Sequence, residues 1–99
     1  MTISRTITDD RIVLHIDGKI DTNTSKELET ALVQAIEGTS SVVLDFEKVI
    51  YISSAGLRTL LLGEKKSKKL GATMVICNIC ENVFDVFEMT GFSEILAIQ

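Results

Sequence analysis

Proline and tryptophan are absent from this 99-residue chain, histidine occurs once and cysteine twice. With no repeat, low-complexity tract or recognisable linker, the length reads as one domain rather than two. Cys77 and Cys80 form a single C-x-x-C, and no second pair exists to complete a zinc site. A redox pair of this spacing belongs at the start of a helix early in a thioredoxin-like unit. This one follows a late strand, so apolar packing is the reading for both thiols, and their presence fits a reducing compartment. No run reaches the roughly 18 to 20 apolar residues of a membrane span, and "MTISRTITDDR" lacks the apolar core of a signal peptide. The expected location is the cytoplasm. A net charge of −4 argues against nucleic-acid binding. No phosphate-cradling G-x-x-x-x-G-K-[ST] loop is present. His15 lies in a strand with no Ser/His/Asp spacing around it, so sheet-face packing or solvent exposure is expected.

What is present is a globular composition, 45% hydrophobic and 24% charged, able to bury a core without metals or disulfides. Alternation in "TISRTIT" and "RIVLHIDG", around the turn-forming "TDDR", predicts a β-hairpin over 2–7 and 11–18. "DTNTSKELETALVQAIEG" predicts a helix. Thr24 and Glu27 have capping-box spacing, Leu28, Ala31, Leu32, Ala35 and Ile36 make one apolar face, and Gly38 marks the stop. The continuous Val42-Val43-Leu44 within "SSVVLDF" predicts a strand covered on both faces. A second helix starts at Ser54, with Leu57, Leu60, Leu61 and Leu70 on its buried side, Arg58, Glu64, Lys65 and Lys68 outside, and Gly71 closing it. "ATMVICNI" reads as a strand. "CENVFDVFEMTG" reads as a third helix packed through Val83, Val86 and Phe87 and ended by Gly91, with Phe84 either at its exposed margin or in a wider buried stripe. "FSEILAIQ" reads as a last strand. The order is β-β-α-β-α-β-α-β, an α/β domain with a mixed sheet flanked by helices. The strands on either side of the second helix are expected to be parallel.

Where the apolar run Val49-Ile50-Tyr51-Ile52 meets that helix stand two serines, Ser53 and Ser54. Serine is a favoured N-cap, so one of the two is expected to cap the helix. A hydroxyl at this helix N-terminus would face unpaired N–H groups and the positive end of the helix dipole. A phosphate there would be tolerated by the fold and felt by a docked partner. Asp21 ends one strand and opens the first helix as Ser54 opens the second, and the two turns are expected to lie side by side. Lys65, Lys66, Lys68 and Lys69 crowd the end of the second helix, where they complement its dipole.

The segments "GKIDTNTSKELETAL", "VVLDFEKVIYISSAGLRTLL" and "GATMVICNICENVFDVFEMTGFSEIL" resemble, in order and over nearly the whole chain, the bacterial anti-sigma factor antagonists of the STAS-domain family. The resemblance is sharpest in Ser53-Ser54-Ala55-Gly56-Leu57 and in Phe87-Glu88-Met89-Thr90-Gly91-Phe92. It implies the STAS fold and a partner-switching cycle. The unphosphorylated antagonist binds an anti-sigma factor and frees a sigma factor. The anti-sigma factor, a serine kinase using ATP, phosphorylates the antagonist and loses its grip, and a serine phosphatase resets the cycle. Aligning Gly56-Leu57 implies Ser54 as acceptor. Ser53 stands where several relatives have aspartate, which keeps Ser53 as the alternate acceptor. The resemblance also implies a docking rim of Asp21, Thr22, Asn23, Ser53, Ala55, Gly56 and Arg58, with Gly56 allowing close approach and Arg58 near the partner or phosphate. The expectation is a kinase substrate without enzyme activity or cofactor, with no nucleic-acid or membrane partner, as a monomer or weak dimer. Two alternatives remain at this level: a STAS module regulating or scaffolding another bacterial signalling protein, and a thiol enzyme using Cys77 and Cys80.

Overall fold

The computed structural model describes residues 1–99. Along the chain run β1 (Thr2–Ile7), β2 (Ile12–Ile20), α1 (Ser25–Gly38), β3 (Ser41–Ile52), α2 (Ser54–Leu70), β4 (Thr73–Cys77), α3 (Glu81–Thr90), one 3-10 turn (Phe92–Glu94) and β5 (Ala97–Ile98). This is the expected order. β1 pairs antiparallel with β2, and β2, β3, β4 and β5 are parallel. The five strands lie in chain order across the sheet, because each helical crossover carries the chain one strand further in the same direction. The last strand is shorter than the sequence suggests: only Ala97–Ile98 pairs, since Gly91, in left-handed conformation, leads Phe92–Glu94 into the 3-10 turn.

Crossovers that advance in one direction put the helices on one side of the sheet, and the burial pattern agrees. Ile12, Leu14 and Ile16, Val42, Leu44 and Phe46, and Met74 and Ile76 are buried. They meet Leu28, Leu32, Ala35 and Ile36 of α1, Leu57 and Leu60 of α2, and Val83 and Phe87 of α3 in one core. The intervening Val13, His15, Val43, Asp45, Val75 and Cys77 are only half-buried. β3 is therefore covered on one face, not two. Its Val42-Val43-Leu44 run is continuous because Val43 sits between Val13 and Val75 on the open face, where neighbouring strands shelter it. His15 is tied into that face: its Nδ1 lies 3.0 Å from Asp45 Oδ2 and its Nε2 3.0 Å from Thr6 Oγ1.

β3 carries two register shifts against β2, one between the His15–Asp45 and Asp17–Lys48 pairs and one between Gly18–Val49 and Lys19–Tyr51. Each adds a residue to β3 and resets its alternation. The buried positions run Phe46, Val49, Ile52, three apart, leaving Ile50 and Tyr51 exposed within an apolar run. The bulges turn the end of β3 so that Ile52 closes the core and the serines emerge at the rim.

Three helical details depart from the sequence expectation. Thr24 makes no capping bond to the α1 amides, so the Thr24–Glu27 box does not form. Gly38 is the last residue of α1 and not a left-handed stop, whereas Gly71 (φ 73°) and Gly91 (φ 80°) are. On α2, Leu57 and Leu60 are buried, but Leu61 is half-buried and Leu70 is 52% exposed. The inner face instead includes Gly56, Thr59, Gly63 and Ser67, while Glu64 is half-buried. Gly63 lets α2 lie close against α1 and β4: a side chain there would strike Leu32 and Met74. Phe84 is half-buried, between the two positions its spacing allowed.

Candidate functional site

The β2–α1 turn is organised by Asp21. Its Oδ1 accepts the amides of Asn23 (2.9 Å) and Thr24 (3.0 Å), and its carbonyl accepts that of Ser25 (2.8 Å). Thr24 Oγ1 accepts the Asp21 amide and donates to the Lys19 carbonyl, both at 2.8 Å. Asp21 thus supplies the start of α1 that the missing capping box would have supplied. The Thr24 amide, opposed by a smaller desolvation effect and helped by the Thr24 hydroxyl and Asn23 amide, holds the Asp21 carboxyl below its ordinary range. Asp21 is half-buried, and Thr22 and Asn23 are exposed.

Beside this turn is the start of α2. Ile20 pairs with Ile52, and the Ser53 amide donates to the Ile20 carbonyl at 2.8 Å, so Asp21 and Ser53 leave adjacent strands at one level. The two serines take different roles. Ser53 is the N-cap, in extended conformation, half-buried, its hydroxyl accepting the Gly56 amide at 3.3 Å. Ser54 is the first helical residue and is exposed. The cap leaves its hydroxyl at the open end of the helix, where orphan N–H groups and the dipole favour negative charge. Ser53→Ala is expected to cost about 1 kcal/mol, the usual loss of a cap, and Ser54→Ala less than about 0.5 kcal/mol, as for an uninvolved surface position. Thermal unfolding of both variants checks this. A larger loss for Ser54→Ala would reverse the assignment.

Next to Ser54 a groove of about 390 Å³ runs between the N-terminal halves of α1 and α2, with Thr22, Ser25, Lys26, Ala55 and Arg58 in its walls. It brings Thr22, Ala55 and Arg58 together. Ser25 and Lys26 were not singled out in the sequence. Helical spacing from Thr22 would have placed them on the same side, but only the packing of α1 on α2 shows which side that is. Thr59 Oγ1 reaches the Ser25 carbonyl at 3.5 Å, at the junction of the helices. Gly56 does not belong to this rim. It is buried, and a Cβ there would stand 2.7 Å from Ile20 Cγ2 and 2.7 Å from Ile52 Cγ1. The close approach it allows is that of α2 onto the ends of β2 and β3.

Elsewhere, Cys77 and Cys80 are free and half-buried. Burial, with help from Asp45 and Glu47, pushes the Cys77 thiol up, away from the thiolate a nucleophile needs. Cys80 is the residue before α3, its sulfur 3.6 Å from the Val49 carbonyl. No three His, Cys, Asp or Glu side chains converge as metal ligands, and no helix is long and apolar enough to cross a membrane.

Comparison with known proteins agrees with the topology. The STAS domain family matches residues 2–99. A Bordetella bronchiseptica protein named as an anti-sigma factor antagonist, BtrV, is 33% identical over 91 residues, 91% of this chain and 78% of its own length. A crystal structure of an anti-sigma factor antagonist from Mycobacterium paratuberculosis superposes with a TM-score of 0.87 at 21% identity, over 98% of this chain and 83% of that one. The Bacillus cell fate determinant SpoIIAA in its phosphorylated form superposes at 0.75 with 15% identity, covering 99% of this chain and 91% of its own. In sequence and in fold alike, this chain belongs to the STAS domain family, alongside relatives named as anti-sigma factor antagonists.

Proposed function

We propose that this chain is an anti-sigma factor antagonist switched at Ser54. With Ser54 free it binds an anti-sigma factor and releases the sigma factor, and with Ser54 phosphorylated it lets go. One observation carries this reading: Ser53 takes the capping role, so Ser54 is left exposed at the start of α2, next to the Asp21 turn. Relatives named as antagonists, and the SpoIIAA structure in a phosphorylated form, support this reading. The anti-sigma factor acts as the serine kinase. The Ser54 oxygen takes the γ-phosphoryl group of ATP, the bridging bond to ADP breaks, and the hydroxyl proton leaves. A serine phosphatase hydrolyses the ester and resets the switch. Asp21, Thr22, Asn23, Ser53, Ala55 and Arg58 form the rim the partner meets. The chain is a substrate in this cycle and contributes no catalytic group.

The test is incubation with ATP and the anti-sigma factor of the source organism, followed by mass spectrometry of the peptide spanning 51–58. One phosphoryl group is expected at Ser54 and none in Ser54→Ala. A Ser54→Ala chain labelled as well as wild type would move the acceptor elsewhere. Capture of only a transporter or receptor by the wild-type chain would defeat the sigma circuit.

A further inference from the structure

α1 and α2 run side by side in the same sense, because each links two parallel strands. Past the small groove beside Ser54 their outer faces leave a larger one, of about 690 Å³. Val33 and Leu62 are its apolar residues, Glu29 and Gln34 line one side, and Lys65 and Lys69 the other. Leu62 is 43% exposed. The two grooves adjoin, sharing Glu29 and Leu62 in their linings.

The charge along this groove departs from that of the chain. The protein carries a net charge of −4, yet Lys65, Lys66, Lys68 and Lys69 place four of its ten basic residues within five positions. Lys66 is held by Glu37 at 3.2 Å and Lys68 by Glu64 at 3.7 Å. Lys65 and Lys69, one helical turn apart, form no ion pair, and both face the groove. The groove follows the bodies of two helices, whose amides are already bonded, so it offers no backbone cradle for a free phosphate. An apolar floor with ammonium groups along its α2 side and Glu29 on its α1 side is the complement of a helix with an apolar stripe and carboxylates on the one flank that meets α2.

We propose that the α1–α2 groove docks an acidic amphipathic helix of the anti-sigma factor, its apolar stripe on Val33 and Leu62 and its carboxylates on Lys65 and Lys69. From Ala55 to Lys69 the path is roughly 21 Å at 1.5 Å per residue, enough for about four turns. One end of that helix lies at the Ser54 rim, so the switch and the groove read the same partner. The identity of the partner rests on the Ser54 reading. The preference of the groove for an acidic helix does not.

The test uses the isotope-labelled chain in NMR titrations with a synthetic fifteen-residue amphipathic peptide bearing leucines at helical spacing flanked by glutamates, and with its glutamate-to-lysine counterpart. The acidic peptide is expected to shift Val33, Leu62, Lys65 and Lys69. Its affinity should fall tenfold or more in the K65E/K69E chain, whose fold is checked by circular dichroism. Equal binding of both peptides, no shifts at these residues, or shifts caused by inorganic pyrophosphate and not by the peptide would each overturn the proposal. With the purified anti-sigma factor, K65E/K69E is expected to bind at least tenfold more weakly than wild type. A groove that responds while Ser54 is never labelled defeats the switch alone, and a labelled Ser54 with a silent groove defeats this proposal alone.

Discussion

Ser54→Asp is expected to bind the anti-sigma factor about 10- to 100-fold more weakly than the wild-type chain, with its melting temperature unchanged or slightly raised. The two parts of this expectation have separate causes. Within the chain, a carboxylate at the first helical position meets the positive end of the α2 dipole, which favours it by about 0.3–1 kcal/mol. Ser54 is exposed, so no core contact is lost. At the interface, a new negative charge facing a partner fitted to a neutral hydroxyl costs several kcal/mol, and about 1.4 kcal/mol is already tenfold in affinity. A phosphate carries about −1.5 to −2 charges against the single charge of aspartate, so the phosphorylated chain should bind more weakly still. Titration calorimetry of wild type, Ser54→Asp and the phosphorylated chain against the anti-sigma factor checks the order. Ser54→Asp binding within twofold of wild type would show that charge at this position does not drive release.

The largest effect on stability is expected at Gly56. A Cβ at this position would sit 2.7 Å from Ile20 Cγ2 and from Ile52 Cγ1, and 3.3 Å from the Ile20 carbonyl oxygen. Both carbons are bonded directly to the β-carbons of stiff, β-branched residues in paired strands, so they yield only by a strained χ1 rotation or by movement of the strands. Overpacking of this kind costs about 1–3 kcal/mol, occasionally more, a large share of the roughly 5–15 kcal/mol that holds a domain folded. Gly63 makes the informative comparison. Its Cβ would strike Leu32 Cδ2 and approach Met74 Sδ at 3.1 Å, atoms near the ends of flexible side chains. Replacing either glycine by alanine also gains helix propensity, by up to about 1 kcal/mol in a helix interior. Gly56→Ala is therefore expected to lower the melting temperature by about 4–8 °C per kcal/mol lost, and Gly63→Ala by less. Denaturant titration of the two variants tests the ranking. A Gly56→Ala chain as stable as wild type would mean that the strand ends yield more easily than β-branched packing allows.

Much of this architecture is legible in the sequence because it depends on neighbours. The hairpin follows from alternation around "TDDR", α1 from the spacing of Leu28, Leu32, Ala35 and Ile36, and the ends of α2 and α3 from Gly71 and Gly91. The capping box at Thr24 had the right letters, yet Asp21 reached the turn amides first and left Thr24 bonded to Lys19. Leu70 fits an apolar stripe and lies exposed, since the buried side of α2 runs through Gly63 and Ser67. At the site, the two serines announce a capped helix, but their letters are identical. Which one caps depends on where β3 stops, and that is set by the two bulges against β2.

By itself the sequence determined the order of the elements, the helix stops and the presence of paired hydroxyls at a strand-to-helix joint, because periodicity and turn chemistry act over a few consecutive residues. Only the tertiary structure decided that Ser53 is the cap and Ser54 the free hydroxyl, that one face of the sheet stays open, and that Lys65 and Lys69 border an apolar groove. Those outcomes come from register and helix packing between residues about thirty positions apart, such as Ile20 with Ile52 and Leu32 with Gly63. Such pairings are fixed by mutual burial, which no local stretch of the chain encodes.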